Sequence, residues 1–341
     1  MIGGGSPSTT NRIRACYNPT HDFLARAFVM ILVTGGTGFI GQSLLRHLTE
    51  IGKPVRALIR PSARSPRLPK GVPVEVALTS LNDLRGLRAA MVGVDTVFHL
   101  ASGEWLGPRA SLMAVDIRGT QSVVQAAADA GVKRFFFVSH LGADRASAYP
   151  VLKAKAIAEE FIRRSGLDFT ILRSAIVYGP QDGFTTGLAR ILHTLPFFFL
   201  MPGDGQGLLQ PLWVEDLVTC LTWALEDAET INRTVEVGGP EYLTFNQVVE
   251  LVSRAARVER RILHLRPPYM RGLTVFLESL FPNMPVSIYW LDYLAANRTC
   301  SLDTIPRVFN LMPSRMSQRL AYLQSEKWNT SFWRMLWQRG F

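Results

Sequence analysis

The run Val29-Met30-Ile31-Leu32-Val33-Thr34-Gly35-Gly36-Thr37-Gly38-Phe39-Ile40-Gly41 constrains this chain more than any other stretch. An apolar, β-branched segment ends in a glycine-rich turn. Leu44, Leu45, Leu48 and Ile51 then recur at helical spacing. The pattern predicts a strand, a phosphate-binding loop and a helix. Gly35 permits the tight turn, Gly38 lets the backbone approach a pyrophosphate, and Gly41 lets the helix pack close to the strand. The helix N-terminus offers free N–H groups and a partial positive charge to phosphates. An ordinary glycine turn is the competing explanation, but it would not require the strand before and the helix after.

The alternation continues downstream. Val55–Ile59, Val72–Val76, Thr96–Leu100, Arg134–Val138 and Phe169–Arg173 read as short strands, with Pro73 marking a sheet edge. Leu81–Met91, Asp116–Ala130 and Leu152–Ser165 read as helices between them. Strands alternating with helices predict an α/β fold: a Rossmann-type, doubly wound parallel sheet. After Gly179-Pro180 the rhythm weakens. Trp213–Leu217 opens a helix to about Leu225, and Thr234–Val237 reads as a late strand. Thr244 and Gln247 fit the N-cap and partner of a capping box. The last ninety residues read as helical, proline-punctuated and basic. The expected organisation is a lead-in over 1–28, a dinucleotide-binding domain over 29–250 and a smaller, mostly helical C-terminal part over 251–341. Met30 is an alternative start.

Composition narrows the class. The chain has 341 residues, 48% hydrophobic and 19% charged, enough for a full core. Cys16, Cys220 and Cys300 are odd in number and far apart, which favours reduced thiols over a disulfide scaffold. The scattered histidines and cysteines have no metal-site spacing. The apolar run Pro196–Pro202 is too short to span a bilayer. Of the net charge of +10, residues 251–341 hold 13 basic against 5 acidic residues, an excess of +8. That surplus suits an anionic membrane surface or an acidic protein partner, and no nucleic-acid motif accompanies it. In Phe332–Arg339, Trp333, Leu336 and Trp337 would share one helical face beside Arg334, as an interfacial segment would. Folding back into the core is the alternative for these tryptophans. The expected location is cytoplasmic, with a peripheral position at the inner membrane open to the basic region.

Several motifs resemble the short-chain dehydrogenase/reductase superfamily, in its extended or atypical, epimerase/dehydratase-like branch. They are Thr34–Gly41, Val94–Ala101, Leu172–Pro180, Val214–Leu217 and Val237–Pro240, in matching order over residues 30–250. Val138–Ala143, Lys155–Glu159 and Leu291–Asn297 are similar to the NAD(P)H-binding accessory subunit of respiratory complex I and its bacterial relatives. Photosystem-assembly relatives share the helix pattern. The resemblance implies a nicotinamide cofactor and a Tyr-x-x-x-Lys pair, in which the lysine holds the ribose and the tyrosine moves a proton.

Two registers compete for that pair. Tyr149 and Lys153 satisfy the spacing literally, but Pro150 after Tyr149 implies a loop there. Alignment on Lys155–Glu159 makes Lys155 the family lysine and puts Val151 at the tyrosine position. Leu141 then stands near the place of the helper serine. Tyr149 and Lys155 are therefore the candidate catalytic residues, and His140 or Tyr178 could supply a proton instead. The resemblance places Gly35, Thr37, Gly38, Phe39, Ile40 and Gly41 at the pyrophosphate, Ala101 and Ser102 beside the nicotinamide, and Lys155 at its ribose. After the second strand, Ile59-Arg60-Pro61-Ser62-Ala63-Arg64 lacks the acid that selects NAD, and Arg60 suits a 2′-phosphate, so NADP is the expected cofactor, with NAD the alternative. No acid follows the third strand at Ala77–Ser80. Two functions remain open at this point. One is an NAD(P)H-binding protein with little or no catalysis at a membrane complex. The other is an oxidoreductase or epimerase/dehydratase acting on a sugar nucleotide, isoprenoid or other small molecule.

Overall fold

A computed structural model describes residues 30–62, 68–104, 111–195, 197–280 and 287–325. Residues 1–28, Arg64 and the Phe332–Arg339 stretch lie outside the described residues. Seven strands form one parallel sheet: β1 (Met30–Thr34), β2 (Val55–Ile59), β3 (Glu75–Leu78), β4 (Val94–His99), β5 (Arg134–His140), β6 (Asp168–Ser174) and β11 (Arg233–Val237). Their order is β11-β6-β5-β4-β1-β2-β3. The chain leaves β1 toward β2 on one side and later returns beside β1 with β4. That reversal is the switch point where doubly wound sheets bind ligands. The parallel registers run Val33↔Ala57 and Val33↔Phe98 across β1. β3 is an edge strand, but it begins at Glu75, later than the expected Val72–Val76, and leaves Pro73, which has no N–H to give the ladder, outside it.

Both faces of the inner strands are covered, so those strands are apolar on both sides, while the edge strand β3 is largely exposed. Ile31 and Val33 point to one layer, made by Leu44, Leu45 and Leu48 of α1 (Phe39–Glu50) and Leu217 and Leu221 of α6 (Val214–Glu226). Leu32, Val97, Phe135 and Phe137 point to the other. That layer is built by α2 (Leu84–Ala90), α3 (Thr120–Asp129) and α4 (Pro150–Arg163), through Leu87, Val123 and Ile162. A π-helix over Met113–Gly119 leads into α3, a wider turn than the continuous α-helix the pattern implied.

A third core joins the remaining elements. They are β7 (Val177–Tyr178), α5 (Thr185–Thr194), β8 (Phe198–Pro202), β9 (Leu208–Leu209), β10 (Leu212–Trp213), β12 (Leu243–Thr244) and α7 (Phe245–Ala255). Tyr178, Phe184, Phe199, Met201, Phe245 and Val248 fill it, and Met316, Leu320 and Leu323 return to it from the C-terminal region. The capping box at Thr244 and Gln247 is formed in both directions. The C-terminal region is not purely helical. Residues Arg261–Leu265 form β13, parallel to β8, with Ile262 opposite Phe199 and Leu263 opposite Leu200. This short aliphatic run gains a partner strand that its own sequence does not announce. The helices α8 (Pro267–Leu280), α9 (Ile288–Leu294) and α10 (Thr304–Phe309) follow.

Candidate functional site

The loop from β1 to α1 has the shape a pyrophosphate needs. Gly35 is left-handed at φ +73°, and an added Cβ would lie 2.7 Å from the Leu100 carbonyl carbon and the Ala101 nitrogen. A Cβ on Gly41 would stand 2.2 Å from the Gly35 oxygen, so helix and loop meet there through backbone. A Cβ on Gly38 would touch only the Gly35 oxygen, at 3.2 Å, leaving its outer side open. Gly38 is the N-cap of α1 and has no side chain to occupy the first-turn N–H groups. Thr37 is exposed, and Phe39 and Ile40 are half-buried beside it. Gly179 has no Cβ where one would lie 3.1 Å from the Phe39 ring. Loop, cap and dipole thus fit a dinucleotide phosphate.

Arg60 follows β2 and is exposed. β3 is followed by Thr79, whose hydroxyl donates to Asp83 at 3.2 Å. At the end of β4, His99 is fully buried, and desolvation, helped by the charge of Lys155, pushes its pKa down to about 3. Its hydrogen bonds fix the tautomer. The Thr120 hydroxyl donates to the Asp116 carbonyl at 2.6 Å, so it accepts from His99 Nε2–H at 2.9 Å. The Thr34 hydroxyl then donates to His99 Nδ1 at 2.7 Å. A neutral imidazole therefore ties β1, β4 and α3 together beneath the loop.

Lys155 and Asp116 meet just beyond these strand ends. Lys155 Nζ lies 3.3 Å from Asp116 Oδ1, and both side chains are buried. Ser102 donates to the same carboxylate at 2.7 Å, and the Gly103 N–H at 2.9 Å. Ala101 is half-buried next to Ser102. Lys153 is exposed. Tyr149 is the N-cap of α4, with Pro150 in the first turn, so it stands outside the helix that carries both lysines. Its ring lies 5.6 Å from the Arg298 guanidinium. Val151 is half-buried one turn before Lys155. Tyr178 is fully buried beside Trp213. Burial, reinforced by the charges of Asp216 and Glu241, pushes its phenol above the ordinary range, so it is a poor proton carrier.

The structure adds residues that sequence reasoning missed. Glu104, after β4, accepts from His140 Nε2 at 2.5 Å. Burial disfavours the Glu104 charge, yet the charge and hydrogen bond of His140, with Lys155 behind, hold its pKa down to about 2. The His140 ring stands edge-on to Tyr293, with centroids 6.0 Å apart. Arg298 lies between the Tyr149 and Tyr293 rings and donates to the Leu141 carbonyl at 3.3 Å. Gly142, at φ +77°, makes room for it, since a Cβ there would fall 2.7 Å from Nη1. The one local signal was the glycine in His140-Leu141-Gly142. Nothing in its neighbourhood named Glu104, Asp116 or Arg298.

Comparison with known proteins agrees with this geometry. Residues 35–191 match the family model described as NAD(P)H-binding. Over these residues the chain is similar to NAD(P)H-binding proteins, and its relatives are of the atypical, short-chain dehydrogenase/reductase-like kind. It is 27% identical to subunit 9 of the NADH dehydrogenase [ubiquinone] 1 alpha subcomplex of Arabidopsis thaliana, over 80% of this chain and 71% of that one. It is 29% identical to an NAD(P)H azoreductase of Xenophilus azovorans, over 82% and 92%. It is 28% identical to the photosystem II assembly factor Ycf39 of Cyanophora paradoxa, over 86% and 91%. A solved UDP-glucose 4-epimerase from Thermotoga maritima shares the fold at a TM-score of 0.67 and 21% identity, covering 87% of this chain and 97% of that one. Among the described residues, no three or more His, Cys, Asp or Glu side chains group as metal ligands would, and no helix is long and apolar enough to cross a membrane.

Proposed function

We propose that this protein binds NADPH in the β1–α1 cleft and uses it mainly as a structural element in an assembly role at a membrane complex, with weak or no turnover. Gly35, Thr37, Gly38, Phe39, Ile40 and Gly41 would hold the pyrophosphate, Arg60 the 2′-phosphate, Ala101 and Ser102 the nicotinamide side, and Lys155 the ribose. When bound, the nucleotide could supply a hydride. The observation that carries the reading is Val151. One turn before the buried Lys155, where Tyr-x-x-x-Lys chemistry needs a hydroxyl, the chain has an alkyl group. The spacing-compatible Tyr149 pairs with an exposed Lys153 and packs on Arg298 instead. A nucleotide kept without turnover still stabilises the fold by mass action, by a few kcal/mol at saturation. The named complex I subunit and assembly factor among the relatives support the same reading.

Calorimetric titration tests it. NADPH should bind more tightly than NADH, and Arg60→Ala should weaken NADPH alone, by roughly 1–3 kcal/mol for a charge-assisted bond. Equal affinities would overturn the NADP assignment, and binding of neither nucleotide would overturn the reading itself.

The Glu104–His140 pair favours a second reading, an NAD(P)-dependent oxidoreductase acting on a small molecule. Here the carboxylate holds the imidazole, and His140 rather than a tyrosine delivers the proton. NADPH-dependent reduction that His140→Gln abolishes, while nucleotide affinity stays intact, would establish it over the first. The azoreductase among the relatives is consistent with that outcome.

A further inference from the structure

Exposed apolar side chains are concentrated in two stretches of the chain that the pairing of β8 with β13 brings together. Of the seventeen large apolar residues exposed among the described ones, eight are Phe197, Phe198, Ile262, Leu263, Tyr269, Val275, Phe276 and Leu280. They belong to β8, β13 and α8 or adjoin them. On α8, Thr274 is buried and Met270, Leu273 and Leu277 are half-buried, so this side faces the protein. Tyr269, Phe276 and Leu280, spaced i, i+7 and i+11, form a stripe beside it and are 66%, 58% and 54% exposed. A folded chain rarely leaves aromatic and aliphatic groups so concentrated in water unless something covers them.

The charges around this face identify what covers it. Residues 254–271 contain six arginines and one acid, Glu259. Arg254 pairs with Glu250, Arg271 reaches Asp292, and Arg260 donates to the Leu192 and Leu195 carbonyls. Arg257, Arg261 and Arg266 are exposed and have no ion pair among the described residues. Arginines flanking an aromatic stripe match the boundary between anionic headgroups and acyl chains. No described helix can span a bilayer, so the fit is to lying on its surface.

We propose that α8 and the basic segment that leads into it dock on an anionic lipid bilayer, with Tyr269, Phe276 and Leu280 at the acyl boundary and Arg257, Arg261 and Arg266 on the headgroups. The proposal rests on the membrane role proposed above but not on the nucleotide site. It places the contact within residues 254–280, upstream of the Phe332–Arg339 segment that the sequence pointed to.

The test is sedimentation of the full-length protein with vesicles of phosphatidylcholine alone or mixed with phosphatidylglycerol. The protein should pellet with the mixed vesicles at low salt and release as salt rises. Each arginine near the surface contributes about fivefold to partitioning. Arg257→Gln, Arg261→Gln and Arg266→Gln together should therefore lower partitioning by roughly a hundredfold. Tyr269→Ser with Phe276→Ser should lower partitioning at every salt concentration, leaving only the arginine contribution at low salt. All five positions are exposed, and the thermal midpoint and nucleotide affinity of each variant should match the parent. A parent that stays in the supernatant with both vesicles overturns the proposal and points to a protein as the covering partner. Variants that pellet like the parent overturn the choice of this face. Loss of nucleotide binding with intact pelleting would instead count against the nucleotide reading alone.

Discussion

Replacing glycine by alanine should have opposite effects at two helical positions, and the sign follows from what a Cβ would meet. In a helix interior alanine is favoured over glycine by about 1 kcal/mol. At Gly272 in α8 nothing lies within 4 Å of the added Cβ, so Gly272→Ala should realise that gain. At Gly41 in α1 the same Cβ would stand 2.2 Å from the Gly35 oxygen and 2.7 Å from the Gly36 Cα. An ordinary carbon–oxygen contact needs about 1 Å more, and the obstructing atoms are backbone, which cannot rotate away. The loop or the helix must shift, and overpacking of this kind costs roughly 1–3 kcal/mol and at times more. The propensity gain offsets only part of it. Gly41→Ala should be net destabilising by on the order of 1–2 kcal/mol and should weaken nucleotide binding, because the displaced atoms shape the phosphate loop. Urea denaturation of both variants and the parent, with nucleotide titration of each, measures the two effects. If Gly41→Ala is as stable as Gly272→Ala and binds nucleotide undiminished, the close-approach argument for the loop is wrong.

Two further outcomes concern the buried charges. Lys155→Met should cost about 3–5 kcal/mol of stability by leaving Asp116 buried without its cation, and Asp116→Asn in the same chain should recover much of it. Nucleotide affinity should fall in Lys155→Ala and hold in Lys153→Ala, which titration of both would check. The other outcome is a pH dependence. The pKa of Glu104 is held at about 2 in the folded state against an ordinary 4.5, so its contribution is present above pH 4.5 and is lost as pH falls through that window. The full value is about 3 kcal/mol, and comparison of the parent with Glu104→Gln isolates it from the other carboxylates. A stability gap that stays constant as acid is added would show that Glu104 has no such bond.

What could be read from the sequence was what neighbouring residues encode together. The phosphate loop, the capping box and the strand–helix rhythm each lie within a dozen or so consecutive residues. Their geometry therefore follows from glycine conformation, side-chain capping and periodicity. The burial of Lys155 and the exposure of Lys153 have a local cause as well: Pro150 sets where α4 begins, and from there the helical period sends Lys155 inward and Lys153 out. The rest of the site depends on distant encounters. Glu104 and His140 are 36 residues apart and Arg298 and Leu141 are 157 apart, and only the sheet order and the return of the C-terminal region unite them. β13 was missed because Arg261–Leu265 pairs with a strand some sixty residues earlier.

Asp116 shows how the local and the distant combine. The sequence placed it at the start of a helix, where an acid is unremarkable. In the structure it lies in the π-turn before α3, buried with its carboxylate between Lys155, Ser102 and the Gly103 N–H. Its own carbonyl accepts from Thr120, and that bond orients His99 against β1. One residue thus connects the buried Lys155 charge to the histidine beneath the β1–α1 loop. In the binding mode proposed above, loss of the Asp116 charge should be felt at the nicotinamide end and loss of its carbonyl bond at the phosphate end. Asp116→Asn keeps the carbonyl bond and removes only the charge, whereas proline at Thr120 would break the turn itself. Nucleotide affinity that falls in the first variant, without loss of the folded state, would separate the electrostatic role of the side chain from the structural role of its backbone.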